Sequence, residues 1–300
     1  MDAVITNIRT GLSRVPDRPG LRSRVVLEST VPVEHEVVPV PGALRVWIPS
    51  APLNMPDCSI PVYDGVVTEV RAASVNGGAM VDIRIQHDVP VSVRRLDGMP
   101  SRVEIAFDCG PAYSVLRDRL IAIDPGHGGR DRGGRGPVNL LEKDVVLDLA
   151  IRLRDLCAAL GVNCFVTRDR DVFVPMEHRV RESSSRGADV FLSLHAGVER
   201  DPAVRGARAA YLNAAGRETA GLIVLELARR LLIPDRGIRR ERLLPPNLRV
   251  PAVKVEFVTI SNPVDEGLVR SCTFMERAAL AVLNGVKDFF WGMDLRRVST

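Results

Sequence analysis

The chain has 300 residues, 46% hydrophobic and 26% charged, with 41 Lys and Arg against 37 Asp and Glu. That length suits two domains with a core each, and that composition is that of an ordinary globular protein and does not indicate disorder. The net charge of +4 could suit an anionic partner, but Lys occurs only at 143, 254 and 287, and an Arg bias of this kind follows from base composition without any partner.

Residues 1–108 read as β structure: Arg24-Val25-Val26-Leu27-Glu28, Leu44–Ile48, Val81–Ile85 and Arg102–Phe107 are short strand-like runs, several alternating, set between Pro and Gly turns. A sandwich is the natural packing for them. The half repeats itself, because Val31-Pro32-Val33 recurs as Val89-Pro90-Val91. Each copy follows an alternating strand and precedes an Arg-Val-x-Ile strand, at Arg45–Ile48 and Arg102–Ile105. Two copies of one unit imply a pseudo-symmetric sandwich. Only Trp47 and Tyr63 could serve as aromatic sugar platforms here, and a core role suits both.

From Arg119 strands alternate with helices. Leu120–Ile123 is a buried strand ending at Asp124-Pro125. After Glu142 the apolar positions Val146, Leu149, Leu153, Leu156 and Leu160 share one helical face, and Gly161 is a C-terminal stop. Val162–Thr167 follows as a strand, Met176–Arg186 as a helix and Asp189–Leu194 as a strand ending at His195. Glu218–Leu232 and Phe274–Phe289 read as helices, and Ala252–Phe257 as a strand carrying Glu256. The expected fold class is α/β: a twisted, mostly parallel sheet with helices on both faces over residues 113–300, preceded by a small all-β sandwich over residues 1–112.

The five cysteines are dispersed without a C-x-x-C pair, so most are expected as small core hydrophobes rather than disulfide partners or metal ligands. His35, His87 and His178 are expected at the surface. No stretch approaches the roughly 18 apolar residues of a membrane span. The opening Met1–Asn7 lacks a basic and an apolar signal region, so no export signal is expected in the chain as given.

Gly126–Gly136 is no phosphate loop, having no Lys and Ser or Thr after its last Gly, and no G-x-G-x-x-G register fits it. Arg132-Gly133-Gly134-Arg135-Gly136 occurs once, between a strand and a helix, and nucleic-acid binding is not expected. The glycines suit a tight turn that presents His127 without crowding. Singly, His127 and His195 read as structural histidines and Glu142 as a helix-start carboxylate. Glu256 is harder to dismiss, since a carboxylate in an apolar strand is costly unless paired or functional. Jointly, two histidines, a carboxylate and a further carboxylate are the parts of metal-assisted hydrolysis, a catalytic zinc taking three such ligands and leaving a fourth position for water.

Asp124-Pro125-Gly126-His127-Gly128-Gly129, Glu142-Lys143, Ser193-Leu194-His195 and Val255-Glu256-Phe257, in this order, resemble the zinc-dependent N-acetylmuramoyl-L-alanine amidases of the type 3 family over about residues 119–290. Thr167–Asp171, Met176–Arg179, Asp235–Ile238 and Ser261-Asn262-Pro263 support the likeness. The strand punctuation of residues 1–112, with Ile5–Arg9, is similar to the AMIN domain that precedes such amidases and targets them to the wall. The resemblance implies zinc on His127, Glu142 and His195, with Glu256 taking the proton of the attacking water and returning it to the alanine nitrogen. It implies peptidoglycan as substrate, an envelope location and a monomer, and it leaves room for activator proteins. Ala196-Gly197 after His195, and Lys254 at a usually apolar position, depart from the family pattern. The short stretch from His195 to Glu256 implies no inserted blocking helix. The competing classes are a zinc carboxypeptidase-like peptidase, whose usual H-x-x-E pair is broken here by Arg130, and a non-catalytic wall-binding protein.

Overall fold

The computed structural model describes residues 2–16, 19–214, 216–241, 248 and 250–298. It divides into two compact units, Met1–Ser114 and Val115–Thr300.

The first unit is all-β apart from a short helix α1 (Gly110–Tyr113). Its strands are β1 (Ile5–Arg14), β2 (Leu21–Ser29), β3 (Glu36–Val40), β4 (Ala43–Ile48), β5 (Cys58–Pro61), β6 (Val67–Val75), β7 (Gly78–Ile85), β8 (Val91–Leu96) and β9 (Ser101–Asp108). They form two antiparallel sheets, ordered β1-β2-β9-β8 and β3-β4-β7-β6-β5. Alternation buries one side of each: Val25, Leu27, Ile105 and Phe107 in the first, Val46, Ile48, Val70, Val81 and Ile83 in the second. The sequence repeat now has a geometric meaning. Val31-Pro32-Val33 carries the chain from β2 in the first sheet to β3 in the second, and Val89-Pro90 carries it back from β7 to β8. The copies β1–β4 and β6–β9 interlock, since β2 of one pairs with β9 of the other and β4 with β7. Strand β5 lies outside the repeat. Trp47 and Tyr63 are half-buried rather than core.

The second unit is built on a six-stranded sheet ordered β11-β10-β12-β15-β13-β14. Its strands are β10 (Leu120–Pro125), β11 (Asn163–Val166), β12 (Val190–Gly197), β13 (Ala207–Tyr211), β14 (Asp235–Arg240) and β15 (Ala252–Thr259). The helices are α2 (Glu142–Leu160), α3 (Met176–Ser185), α4 (Gly216–Leu231), α5 (Pro263–Leu268) and α6 (Cys272–Val298). Neighbours pair in parallel except β13 against β15. The fully buried Ile121, Ile123, Leu192, Leu194, Val253 and Val255 form one face, on which α2 and α4 pack, with α6 packed against both of those helices. On the other, Ala122, Phe191 and Ala252 cluster with Phe165 and with Val180 of α3.

Helix α2 buries Val146, Leu149, Leu153 and Cys157, and it stops at Gly161 in the left-handed conformation, φ 69°. Leu156 and Leu160, expected on that face, are only half-buried, because Cys157 holds the inner position. Of the cysteines only Cys109 and Cys157 are buried; Cys58 and Cys164 are intermediate and Cys272 exposed, which corrects the expectation of a mostly core role. Likewise His178 is exposed but His35 and His87 are half-buried. Among the described residues no helix is long and apolar enough to cross a membrane.

Candidate active site

Strands β10, β12 and β15 end side by side, and the chemistry gathers at those carboxyl ends, as in open α/β sheets generally. Beyond β10 the chain turns sharply: His127 has φ 62°, Gly128 123° and Gly129 58°. A non-glycine residue in the left-handed region is strained and needs support. Two buried arginines supply it. Arg168 donates to the carbonyls of Pro125 (3.0 Å) and Gly126 (2.8 Å), and Arg179 to those of Pro125 (2.6 Å) and His127 (2.7 Å). Burial and the nearby Arg179 charge hold the Arg168 guanidinium below its usual pKa. Arg179 also pairs with the fully buried Asp124 at 2.8 Å, which accepts from Thr167 (2.6 Å) and Ser193 (2.8 Å) besides. The Gly129 end is tied down by Asp171, which accepts from Gly129 N (2.7 Å) and pairs with Lys143 (2.5 Å).

Among the described residues, His127, Glu142 and His195 bring one ligand atom each within 4.8 Å of one another. Glu142, first residue of α2, lies 3.1 Å from His127 Nε2 and 2.9 Å from His195 Nδ1. The backbone N–H groups of Gly134 (2.7 Å) and Ala196 (3.0 Å) donate to its two oxygens. Burial alone would raise the Glu142 pKa, but hydrogen bonds from both histidines hold it well below the carboxylate range. His127 is half-buried, which lowers its pKa, yet Glu142 and Asp131 outweigh this and hold it above the ordinary value. The glycines explain how these groups come so close. A Cβ on Gly126 would stand 2.4 Å from His195 Cε1, and one on Gly133 would stand 2.5 Å from His127 Cδ2 and 2.8 Å from Glu142 Oε2. Two imidazoles and one carboxylate, convergent and sterically cleared, fit the donor set of a catalytic zinc.

Glu256 sits one strand away, the register partner of His195 across β12 and β15. It is buried, and Arg208 of β13 donates to its Oε2 from Nε (2.9 Å) and Nη2 (2.7 Å). Lys254 and Arg239 approach its Oε1 at 3.4 and 3.5 Å. All of these side chains, with Met176, Val198 and Leu212, line one cleft of about 610 Å³. The stretch from His195 to Glu256 contains β13, α4 and β14, and among the described residues none from α4 lines the cleft.

The family model for N-acetylmuramoyl-L-alanine amidase, type 3, matches residues 121–288, a segment that includes His127, Glu142, His195 and Glu256. The chain belongs to this family. It is 29% identical over 228 residues to N-acetylmuramoyl-L-alanine amidase AmiC of Neisseria meningitidis, covering 60% of this chain and 55% of that protein. To the amidase LytC of Bacillus subtilis it is 32% identical over 175 residues, covering 57% and 35%. The chain thus spans about half, or less, of these curated relatives. Amidase AmiC2 of Nostoc punctiforme superposes with a TM-score of 0.54 at 31% identity, over 56% of this chain and 94% of that structure. The catalytic domain of the amidase CwlV from Paenibacillus polymyxa gives 0.55 at 26% identity, over 57% and 97%. The first unit lies outside the matched segment.

Within this amidase-family unit the structure adds residues that sequence reading did not single out. Asp131 Oδ1 lies 2.9 Å from His127 Nδ1 and accepts from Gly133 N at 3.1 Å, so it fixes which imidazole nitrogen faces Glu142. The i, i+4 spacing from His127 was its only signal. Glu266 of α5 accepts from the backbone of Val138 (2.7 Å) and Leu140 (3.0 Å), shaping the loop that leads into Glu142. Arg208 had no signal at all, because β13 was not read as a strand.

Proposed function

We propose that this chain is a peptidoglycan hydrolase that cleaves the amide between N-acetylmuramic acid and the L-alanine of the stem peptide. In this reading His127, Glu142 and His195 hold zinc, and Glu256 moves the proton. The observation that carries it is the convergence of three ligand atoms within 4.8 Å, beside a buried carboxylate in the same cleft. Zinc bound there supplies Lewis acidity at the scissile carbonyl and lowers the pKa of its water toward about 7. Asp131 keeps a proton on His127 Nδ1 and leaves Nε2 as the ligand atom. Glu142 is kept ionised by the donors around it. Glu256 accepts the proton of the attacking water and returns it to the departing nitrogen, because an amine leaves poorly as its anion. Arg208 holds the Glu256 carboxylate in place by two hydrogen bonds to one oxygen, leaving Oε1 toward the weaker, longer contacts.

The same reading puts the protein in the cell envelope, as a monomer. The first unit, an interlocked repeat outside the family match, is read as an AMIN-like module that holds the enzyme on the wall. Purified protein incubated with isolated sacculi should release peptides with a free N-terminal alanine and leave the glycan intact, and a chelator should stop it. Metal analysis should give one zinc per chain, lost in His127→Ala and His195→Ala. Full zinc occupancy in either variant sinks the ligand assignment. Release of single amino acids from peptide ends would replace the amidase by a peptidase, and no release would leave a binding protein. The isolated first unit should sediment with sacculi; if it stays in the supernatant, the targeting role falls.

A further inference from the structure

Strand order lays the cleft out in sequence: metal ligands at β10 and β12, Glu256 on β15, then cations from β13 and β14. One row of register partners runs Ser193, Lys254, Ala210 and Arg239 across β12, β15, β13 and β14, so these side chains leave the sheet on one face. Ala210 is small and buried, and it leaves a low floor between the two long cations. Arg208 is committed to Glu256, but Lys254 and Arg239 are not tightly held. Lys254 Nζ lies 3.4 Å from Glu256 and 3.7 Å from Glu241, and Arg239 lies 3.5 Å and 3.2 Å from the same two carboxylates. Charge-assisted hydrogen bonds run to about 2.7–2.9 Å. Both cations line the cleft and have N–H donors to offer a closer anion.

Resting on the amidase reading, we propose that Lys254 and Arg239 form a carboxylate subsite for the peptide on the leaving side of the scissile bond. Glu256 protonates the leaving nitrogen, so the peptide begins beside Glu256 and runs toward the cations. The Arg239 backbone stands two strands, on the order of 10 Å, from β15, but its guanidinium reaches back to within 3.5 Å of Glu256. An extended residue covers about 3.3–3.6 Å. The carboxylate therefore belongs to the second residue of the leaving peptide, because the first residue's carboxyl is taken up in the next peptide bond and both cations start 3.4 and 3.5 Å from Glu256.

The test uses two soluble muropeptides that differ only in whether the second stem residue carries a free or an amidated carboxyl group. The full chain should prefer the free acid about 10- to 100-fold in kcat/KM, mostly through KM, the range of one or two charged hydrogen bonds. Lys254→Met and Arg239→Gln should each bring that ratio toward one, and Lys254→Arg should restore much of it. An equal loss on both substrates would mean that the cations serve only Glu256, and it would overturn the subsite. Calorimetric binding of the dipeptide acid and its amide, which needs no turnover, separates the two readings. Tighter binding of the acid without cleavage of either muropeptide would keep the subsite and remove the amidase assignment. Cleavage of both muropeptides at equal rates would do the reverse.

Discussion

Gly126→Ala isolates the space around His195 from every other property of the site. Gly126 has no left-handed φ, so alanine meets no backbone penalty there, and the whole effect is steric. The new Cβ would stand 2.4, 2.6 and 2.9 Å from His195 Cε1, Nε2 and Nδ1. Carbon contacts settle near about 3.5–4.0 Å, so the ring must retreat by about 1 Å. In the proposed zinc site, zinc–nitrogen bonds of about 2.0–2.1 Å would tolerate roughly 0.2 Å, so His195 should be lost or misaligned as a ligand. A misplacement of about 1 Å costs on the order of 10²-fold in rate, or about 2.7 kcal/mol of barrier. The assay pairs muropeptide hydrolysis with zinc retained after desalting, and circular dichroism confirms the fold. Gly221→Ala is the matched control. It lies inside α4 with open space around its Cβ, and it should stabilise by roughly 0.5–1 kcal/mol without touching activity. Full zinc and full rate in Gly126→Ala would show that the glycines do not clear the site, and the steric account would fail.

Glu256→Gln should keep zinc while losing about 10²–10⁴ in rate, the share of general acid–base catalysis; zinc loss alongside activity would make Glu256 a ligand instead. Arg179→Met removes the cation from fully buried Asp124 and one donor from each of three carbonyls, of which Pro125 keeps Arg168. It should destabilise the second unit by about 3–5 kcal/mol in denaturant unfolding, the cost of breaking a buried pair, and a change under about 1 kcal/mol would contradict it. The pH response should reverse with metal. Without zinc, the raised pKa of His127 contributes stability that is complete below about pH 6.5 and lost as pH rises through its folded value. The lowered pKa of Glu142 contributes stability present above about pH 4.5 and lost as pH falls through its folded value. Thermal melts in chelator should therefore weaken from about pH 6 to pH 9, whereas zinc, competing for the same nitrogen, should stabilise more as pH rises. Parallel trends with and without zinc would refute the shared site.

The parts of this protein that sequence alone determined are those written in local pattern. The 3.6-residue spacing from Glu142 and the Gly161 stop define α2, the apolar run Leu120–Ile123 delivers the His127 turn, and the doubled Val-Pro-Val marks two copies of one β unit. The four chemical residues were visible because their neighbours in the chain are as distinctive as they are. Tertiary structure alone decided what surrounds them. Arg168 and Arg179 reach carbonyls 42 to 54 residues away, and Arg208 reaches Glu256 across 48, contacts that leave no period in the chain. Strand β14, Asp235–Arg240, is charged and largely exposed at the sheet edge, so it lacked the apolar alternation by which strands are recognised. With it went Arg239, the cation of the cleft that β14 carries. Lys254, in sequence only an interruption of an apolar strand, becomes a wall of the site because β13 reverses direction and sets Ala210 beside it. Hydrophobic periodicity reports which face is buried; which polar groups meet on the other face depends on strand order and register, and those exist only once the sheet has formed.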